Sequence, residues 1–321
     1  MPETPAILTL AHSPDADDLA MWWPLVGFAG REPLDARLPA GRPVAFELLP
    51  RDVEALNKLA VGEADADASE RYDITAISAA AYPRLAETFA ITDSGASFGE
   101  GYGPRVIVRD DSPAQSPADL RGSRIAVPGL LTTAFLTTSL MLGSEGGSPA
   151  FEPVEMLFSE IPGAVMQGRV DAGVLIHEAQ LTFGDTSDSG HSLRQLADLG
   201  AWWGGETDLA LPLGLNVIRR DLDDRLGRGA VGAMATLLGE SVRKAATERD
   251  VTKAYLRSLP GSKPEWHDDA VLDRYLDMYV SPMTISMGER GRAALDELYK
   301  RGDAAGLCAK PRTTGVVGAL A

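Results

Sequence analysis

Short apolar runs alternate along this chain with stretches whose apolar residues recur at helical spacing, and no other feature limits its fold so strongly. AILTLA at 6–11 stops at SPDADD and passes into LAMWWPLVGF, while VAFELLP at 44–50 passes into DVEALNKLAVGE, with Asp52 at its start. The segment RIAVPG, a strand from 124 to 128, leads into LLTTAFLTTSLML, whose first helical turn holds Thr132 and Thr133. Runs of that length read as buried strands and the segments after them as helices. Strand followed by helix, repeated, specifies an α/β architecture. The spacing lacks the even period of a solenoid or barrel. A chain of 321 residues is also long for one core, since a domain takes about 150 residues. Two α/β lobes are expected, with a ligand cleft between them.

Between these units YDITAIS (72–78) reads as a strand ended by Ser78, and TFAITDSGASFGEGYGPRVIVR as strand, glycine-rich loop and strand. A further strand is expected at about 213–218, and the remainder is mostly helical. There Ser286 and Glu289 form an S-x-x-E capping box opening ERGRAALDELYKRG, with Gly302 as its stop. The polar segments 64–71 and 184–193 look like surface additions.

The stretch DAGVLIHEAQ (171–180) is a short apolar strand, Gly173 to Ile176, that stops on His177 and Glu178. Ligands of open α/β sheets bind outside the carboxyl ends of the strands, so a titratable pair delivered there is a candidate site, against the alternative of a capped strand end. His12 ends the first strand in the same way, whereas His191 in a polar loop and His267 before Asp268 read as solvated. Ser13 and Ser78 end strands of one lobe, and Thr132 and Thr133 open a helix of the other, where hydroxyls and free N–H groups can hold a carboxylate or simply cap. Together with His177 they form a polar ring around one cleft.

Other patterns lead elsewhere. GASFG (95–99) matches G-x-S-x-G formally, but loop and strand follow where a nucleophile elbow needs a helix, so it reads as a loop shaped for close backbone approach. HEAQL returns no second histidine and the chain has a single cysteine, so no metal is expected. Asp15, Asp17 and Asp18 suit the first turn of a helix on dipole grounds. A formal net charge of −16 disfavours nucleic acid and anionic membrane as partners. No uncharged apolar run reaches the roughly 20 residues that span a bilayer. The lone Cys308 and a start without a basic region before an apolar one give a cytoplasmic expectation.

Five segments carry a family resemblance: VEALNKLA (53–60), SGASFGEGYGP (94–104), IAVPGLLTTAFL (125–136), LIHEAQLTF (175–183) and DLGAWW with LPLG (198–214). In that order they resemble the 1,4-dihydroxy-6-naphthoate synthase family of the futalosine route to menaquinone. The pairings VPG-x-x-TTA, HE-x-x-x-T and DLGAWW are the specific ones. The resemblance implies a two-lobed fold like type II periplasmic binding proteins, with the chain crossing twice between lobes. On that basis 1–106 and 215–321 form one lobe, including the C-terminal helices, and 107–214 the other. It further implies that Ser13, Asn57, Ser78, Thr132 and Thr133 bind substrate and that His177 is the general base. The substrate implied is a small-molecule carboxylate, cyclic dehypoxanthine futalosine, cleaved without a cofactor.

Two stretches depart from the family pattern. SPDADDLAMW stands near the N-terminus where something nearer SPCPNDTFIF is usual, and YVSPMTISMG stands where an asparagine after YV is more usual. Three other readings compete: chorismate dehydratase of the same pathway, a solute-binding protein on the same scaffold, and a non-catalytic sensor of a pathway intermediate. The HE-x-x-x-T and TTA segments favour the synthase.

Overall fold

The computed structural model describes residues 3–63, 72–176, 191–312 and 314–318, and the side chains of residues 278 and 279 are left aside. The opening strands β1 (Ala6–His12), β2 (Val44–Pro50) and β3 (Ile74–Ser78) lie parallel, with β1 between the other two. Beyond them come β4 (Phe89–Thr92), β5 (Ser97–Gly99) and β6 (Arg105–Arg109), then β7 (Arg124–Val127), the small pair β8 (Ser144–Glu145) and β9 (Ser148–Pro149), and β10 (Glu152–Glu155). The last four are β11 (Ala172–Leu175), β12 (Leu193–Asp198), β13 (Leu211–Arg219) and β14 (Val316–Val317).

These strands make two main sheets. One runs β14-β4-β13-β3-β1-β2, with β5 also paired to β13, and the other runs β10-β7-β11-β6-β12. β13 returns antiparallel against β3, β4 and β5, so late sequence closes the early sheet. In the second sheet β10, β7 and β11 run parallel, β6 runs against them, and β12 pairs antiparallel with β6 and so takes the direction of the first three. The chain passes from the first sheet to the second between Gly99 and Arg105, and returns through the helix Leu199–Thr207 to β13. The two passages touch at backbone distance: a Cβ on Gly200 would lie 1.9 Å from Tyr102 O, which only glycine avoids.

Helices pack on the sheets as the apolar spacing demands. α1 (Ala16–Val26) buries Ala20, Met21, Trp22 and Trp23, with Trp23 Nε1 donating to Thr252 Oγ1 at 2.9 Å. α2 (Val53–Val61) starts on Asp52, whose carboxylate accepts from the N–H groups of Glu54 and Ala55. α3 (Thr133–Leu142) starts on Thr132. Among the described residues no helix is long and apolar enough to cross a membrane.

Local motifs misled in three places. The expected Ser286–Glu289 capping box does not form: the helix runs Gly288–Ala304, and Ser286 Oγ instead donates to Asp93 Oδ2 at 2.5 Å. A buried carboxylate outcompetes a helix end for that hydroxyl. Gly302 is inside this helix and does not stop it; a Cβ there would lie 2.4 Å from Cys308 Sγ, so its smallness serves packing. The glycine-rich loop contains β5, a strand created by its non-local partner β13.

Candidate active site

The parallel strands determine where the polar side chains gather. His12 ends β1 and Ser13 follows it, Ser78 ends β3, the end of β7 leads through Pro128 and Gly129 to Thr132 and Thr133, and β11 is followed by Ile176. All of these are carboxyl ends, where turns can present groups that the strands themselves cannot. Ser13, Ser78, Thr132, Thr133 and Ile176 line one cavity of about 100 Å³. Its remaining lining is largely apolar, from Met21, Val53, Ile77, Leu213 and Leu215 among others.

Asn57 stands one layer behind. Fully buried on α2, it donates through Nδ2 to Ser78 Oγ at 3.1 Å and accepts through Oδ1 from Ser78 N–H at 2.8 Å. Because an N–H already occupies a lone pair of Ser78 Oγ, the hydroxyl proton is left to be donated elsewhere. Ser13 is bound differently: its Oγ accepts from Asp15 N–H at 3.3 Å, and its own N–H donates to Asp18 Oδ2 at 2.8 Å.

The threonines open α3 and bridge the sheets. Thr132 Oγ1 donates to Gly129 O at 2.7 Å and accepts from Phe135 N–H at 3.1 Å, an N-cap. Thr133 Oγ1 donates to Leu213 O at 2.9 Å and accepts from Ala80 N–H at 3.1 Å, joining α3 to β13 and to the turn after β3, both on the first sheet's side. With both hydroxyls engaged, the N–H groups of Thr133 and Ala134 are the ones that have no partner among the described residues. They stand at the positive end of the α3 dipole, on the cavity.

His177 and Glu178 lie outside the described residues, as does most of the polar segment 184–193 and all of 64–71. His12 is buried beneath the cavity wall, its Nδ1 donating to Ser13 O at 2.7 Å. His191 and His267 lie elsewhere, with Nδ1 of His191 3.3 Å from Asp110 Oδ1 and Nε2 of His267 3.3 Å from Ser262 Oγ. Asp110, Asp111 and His191 bring possible metal-ligand atoms within 4.8 Å of one another. They cluster past the end of β6 remote from the cavity-lining Pro104, and Ser192 already donates to Asp110 twice.

Sequence patterns alone did not single out several cavity residues. Asp17 and Asp18, read as dipole partners of α1, line the cavity, as does Thr284 of the second departing stretch. Asp17 Oδ1 accepts from Tyr275 OH at 2.9 Å. Burial pushes the Asp18 carboxyl above the usual aspartate range, against the pull of His12 and of the Ser13 N–H. Asp15, also in the departing stretch, is buried and paired with Lys263 at 3.2 Å. Ser97 of GASFG accepts from Gly214 N–H at 3.1 Å on the cavity wall. Asn216 on β13 donates to Gly95 O at 2.8 Å, and its Oδ1 is buried without a hydrogen-bond partner among the described residues. Glu54, the neighbour of the cavity-lining Val53, is buried behind the lining and accepts from both Asn57 Nδ2 at 3.0 Å and Leu131 N–H at 3.2 Å. Spacing along α2 places Glu54 and Asn57 on one face, but nothing in sequence pairs either with residue 131.

Comparison with known proteins gives the chain its family. A family model described as menaquinone biosynthesis matches residues 8–304. A 1,4-dihydroxy-6-naphthoate synthase of Thermus thermophilus is 33% identical over 302 residues, covering 94% of this chain and 96% of that protein. The synthase of that name from Streptomyces coelicolor is 34% identical over 235 residues, covering 73% of this chain and 77% of its own. Among solved structures, a protein of Archaeoglobus fulgidus superposes with a TM-score of 0.70 at 35% identity, covering 94% of this chain and 98% of that one. The alkanesulfonate-binding protein of Xanthomonas axonopodis pv. citri, solved with MOPS, has a TM-score of 0.59 at 18% identity and covers 95% of each chain. That second likeness concerns the fold, the two-lobed architecture of periplasmic binding proteins. With a family match that runs from the first strand to the end of the last long helix, and two synthases a third identical, the chain belongs to the menaquinone-biosynthesis family as an enzyme of the 1,4-dihydroxy-6-naphthoate synthase group.

Proposed function

We propose that this enzyme acts in the futalosine route, cleaving cyclic dehypoxanthine futalosine to 1,4-dihydroxy-6-naphthoate with His177 as general base. One observation carries the reading: Ser13, Ser78, Thr132 and Thr133 line the same cavity as Ile176, the residue that precedes His177 in sequence. The substrate carboxylate would take the N–H groups of Thr133 and Ala134 at the α3 N-terminus, where an anion is favoured. Ser78, its hydroxyl proton left over by Asn57, would donate to an oxygen of the sugar-derived part, and the apolar lining would cover the aromatic part.

A neutral imidazole takes up a proton near neutral pH, as a general base must. Aromatisation of the new ring then drives loss of the sugar-derived piece. Holding the carboxylate fixes the reacting end against the base, so binding energy serves orientation.

The test is an anaerobic assay of purified protein with cyclic dehypoxanthine futalosine, following dihydroxynaphthoate by absorbance and mass, beside His177→Ala. Product from wild type and a kcat lower by about 10²–10⁴-fold in the variant, with substrate binding retained, is the expected result. Tight binding without turnover in wild type favours a solute-binding protein, and turnover of chorismate in its place favours the dehydratase.

A further inference from the structure

We infer that Glu54 is a positioning residue whose carboxylate ties together the two walls that hold the substrate. The inference rests on the proposed roles of Ser78 and of the α3 N-terminus. Glu54 belongs to α2 in the first lobe and is 4% exposed. One oxygen accepts from Asn57 Nδ2, the amide that orients Ser78, and the other accepts from Leu131 N–H, in the turn that leads into Thr132 and Thr133. One side-chain path from Ser78 to the start of α3 therefore runs through this carboxylate, beside the bond from Ala80 N–H to Thr133 Oγ1. The fit is tight on the far side, where a Cβ on Gly129 would lie 2.2 Å from Glu54 Cδ.

Both partners are donors that cannot reverse. Leu131 offers a backbone N–H, and Asn57 must present Nδ2 because its Oδ1 is occupied by Ser78 N–H. The position thus requires one planar group with two acceptors, which an ionised glutamate supplies and a glutamine does not. Burial raises the Glu54 carboxyl above the usual glutamate range, while the bonds from Asn57 and Leu131 oppose this. The charged groups facing it are Glu155 and Lys58, which pair with one another across the lobes. As pH falls through the raised value the carboxyl gains a proton, one acceptor becomes a donor, and the tie slackens.

The test compares wild type, Glu54→Gln and Glu54→Asp by kcat and KM across pH. It adds direct titration of each protein with 1,4-dihydroxy-6-naphthoate, which needs no turnover. The expected result for Glu54→Gln is a KM and a ligand Kd raised about tenfold, as for one charge-assisted bond, with kcat changed less. The acid-side weakening of wild-type affinity should be flattened in this variant. Read as KM for the substrate, which carries the part Ser78 contacts, combining Glu54→Gln with Ser78→Ala should cost less than the sum of the two, because they act through one chain. An unchanged Kd in Glu54→Gln, additive effects, or an acid limb that survives the substitution overturns the inference. Should the variants not fold, wild-type affinity that does not weaken toward acid overturns it alone. Wild type that binds the naphthoate with this pH dependence but makes no product would sink the proposed activity and leave the tie standing. Wild type that turns over the substrate but does not bind the naphthoate overturns the inference alone, and wild type that neither binds it nor makes product overturns both.

Discussion

Asn57 holds Ser78 at two points, donating to its hydroxyl at 3.1 Å and accepting from its N–H at 2.8 Å. A serine at a strand end normally rotates its hydroxyl freely, whereas this one has a lone pair already filled and its proton directed away from Asn57.

Replacing Asn57 by Ala would leave the Ser78 N–H without its acceptor in a buried setting. Stability should fall by about 1–3 kcal/mol per stranded group, and KM should rise, as read by urea unfolding and steady-state kinetics. Asn57→Asp keeps the acceptor for Ser78 N–H but sets a second carboxylate beside Glu54. Two such groups cannot both ionise cheaply, so this variant should be weakest at neutral pH and recover as pH falls, the sign expected for a raised carboxyl.

Thr133 ties α3 to the turn after β3 and to β13 through Ala80 and Leu213. Thr133→Val preserves its shape but removes both bonds, and should cost about 1–2 kcal/mol. Urea unfolding of the variant beside wild type reads this loss, and an unchanged midpoint would mean that neither bond contributes to stability.

Asp18 is the cavity carboxyl raised by burial, with His12 pulling it down and Asp15 pushing it further up. The folded chain holds that proton more tightly than the unfolded chain, so its contribution to stability falls as pH rises from ~4 to the raised value. The penalty is complete above that window. Asp18→Asn keeps an acceptor for Ser13 N–H and cannot ionise. Urea unfolding from acid to neutral pH should give a flatter acid-side slope and a neutral-pH stability no lower than wild type.

Gly200 lets the two passages between the sheets touch, since a Cβ there would meet Tyr102 O at 1.9 Å and Gly103 N at 2.6 Å. Gly200→Ala forces a backbone shift and should destabilise by about 1–3 kcal/mol, an overpacking cost. Thermal unfolding would reveal it, and a Tm equal to that of wild type would mean that the passages can separate at no cost.

Strands and helices were legible in the sequence because their signals are local. β1 and β2 are apolar runs of the expected length, and α2 announces itself with Asp52 and an apolar face. The carboxyl ends of those strands could be read as well, which is how Ser13, Ser78, Thr132 and Thr133 entered as candidates. Partners are not local, so β5 became a strand only when β13 paired with it, and Ser286 left its helix for Asp93. The same reason separates the candidate residues from their roles in packing. The sequence by itself determined which side chains stand at strand ends. Only the tertiary structure decided that Glu54 reaches Leu131 across 77 residues, that Asp18 lines the cavity beside Ser13, and that the threonine hydroxyls are taken while backbone N–H groups remain. Hydrogen-bond directions and burial belong to the assembled neighbours, and no residue carries them alone.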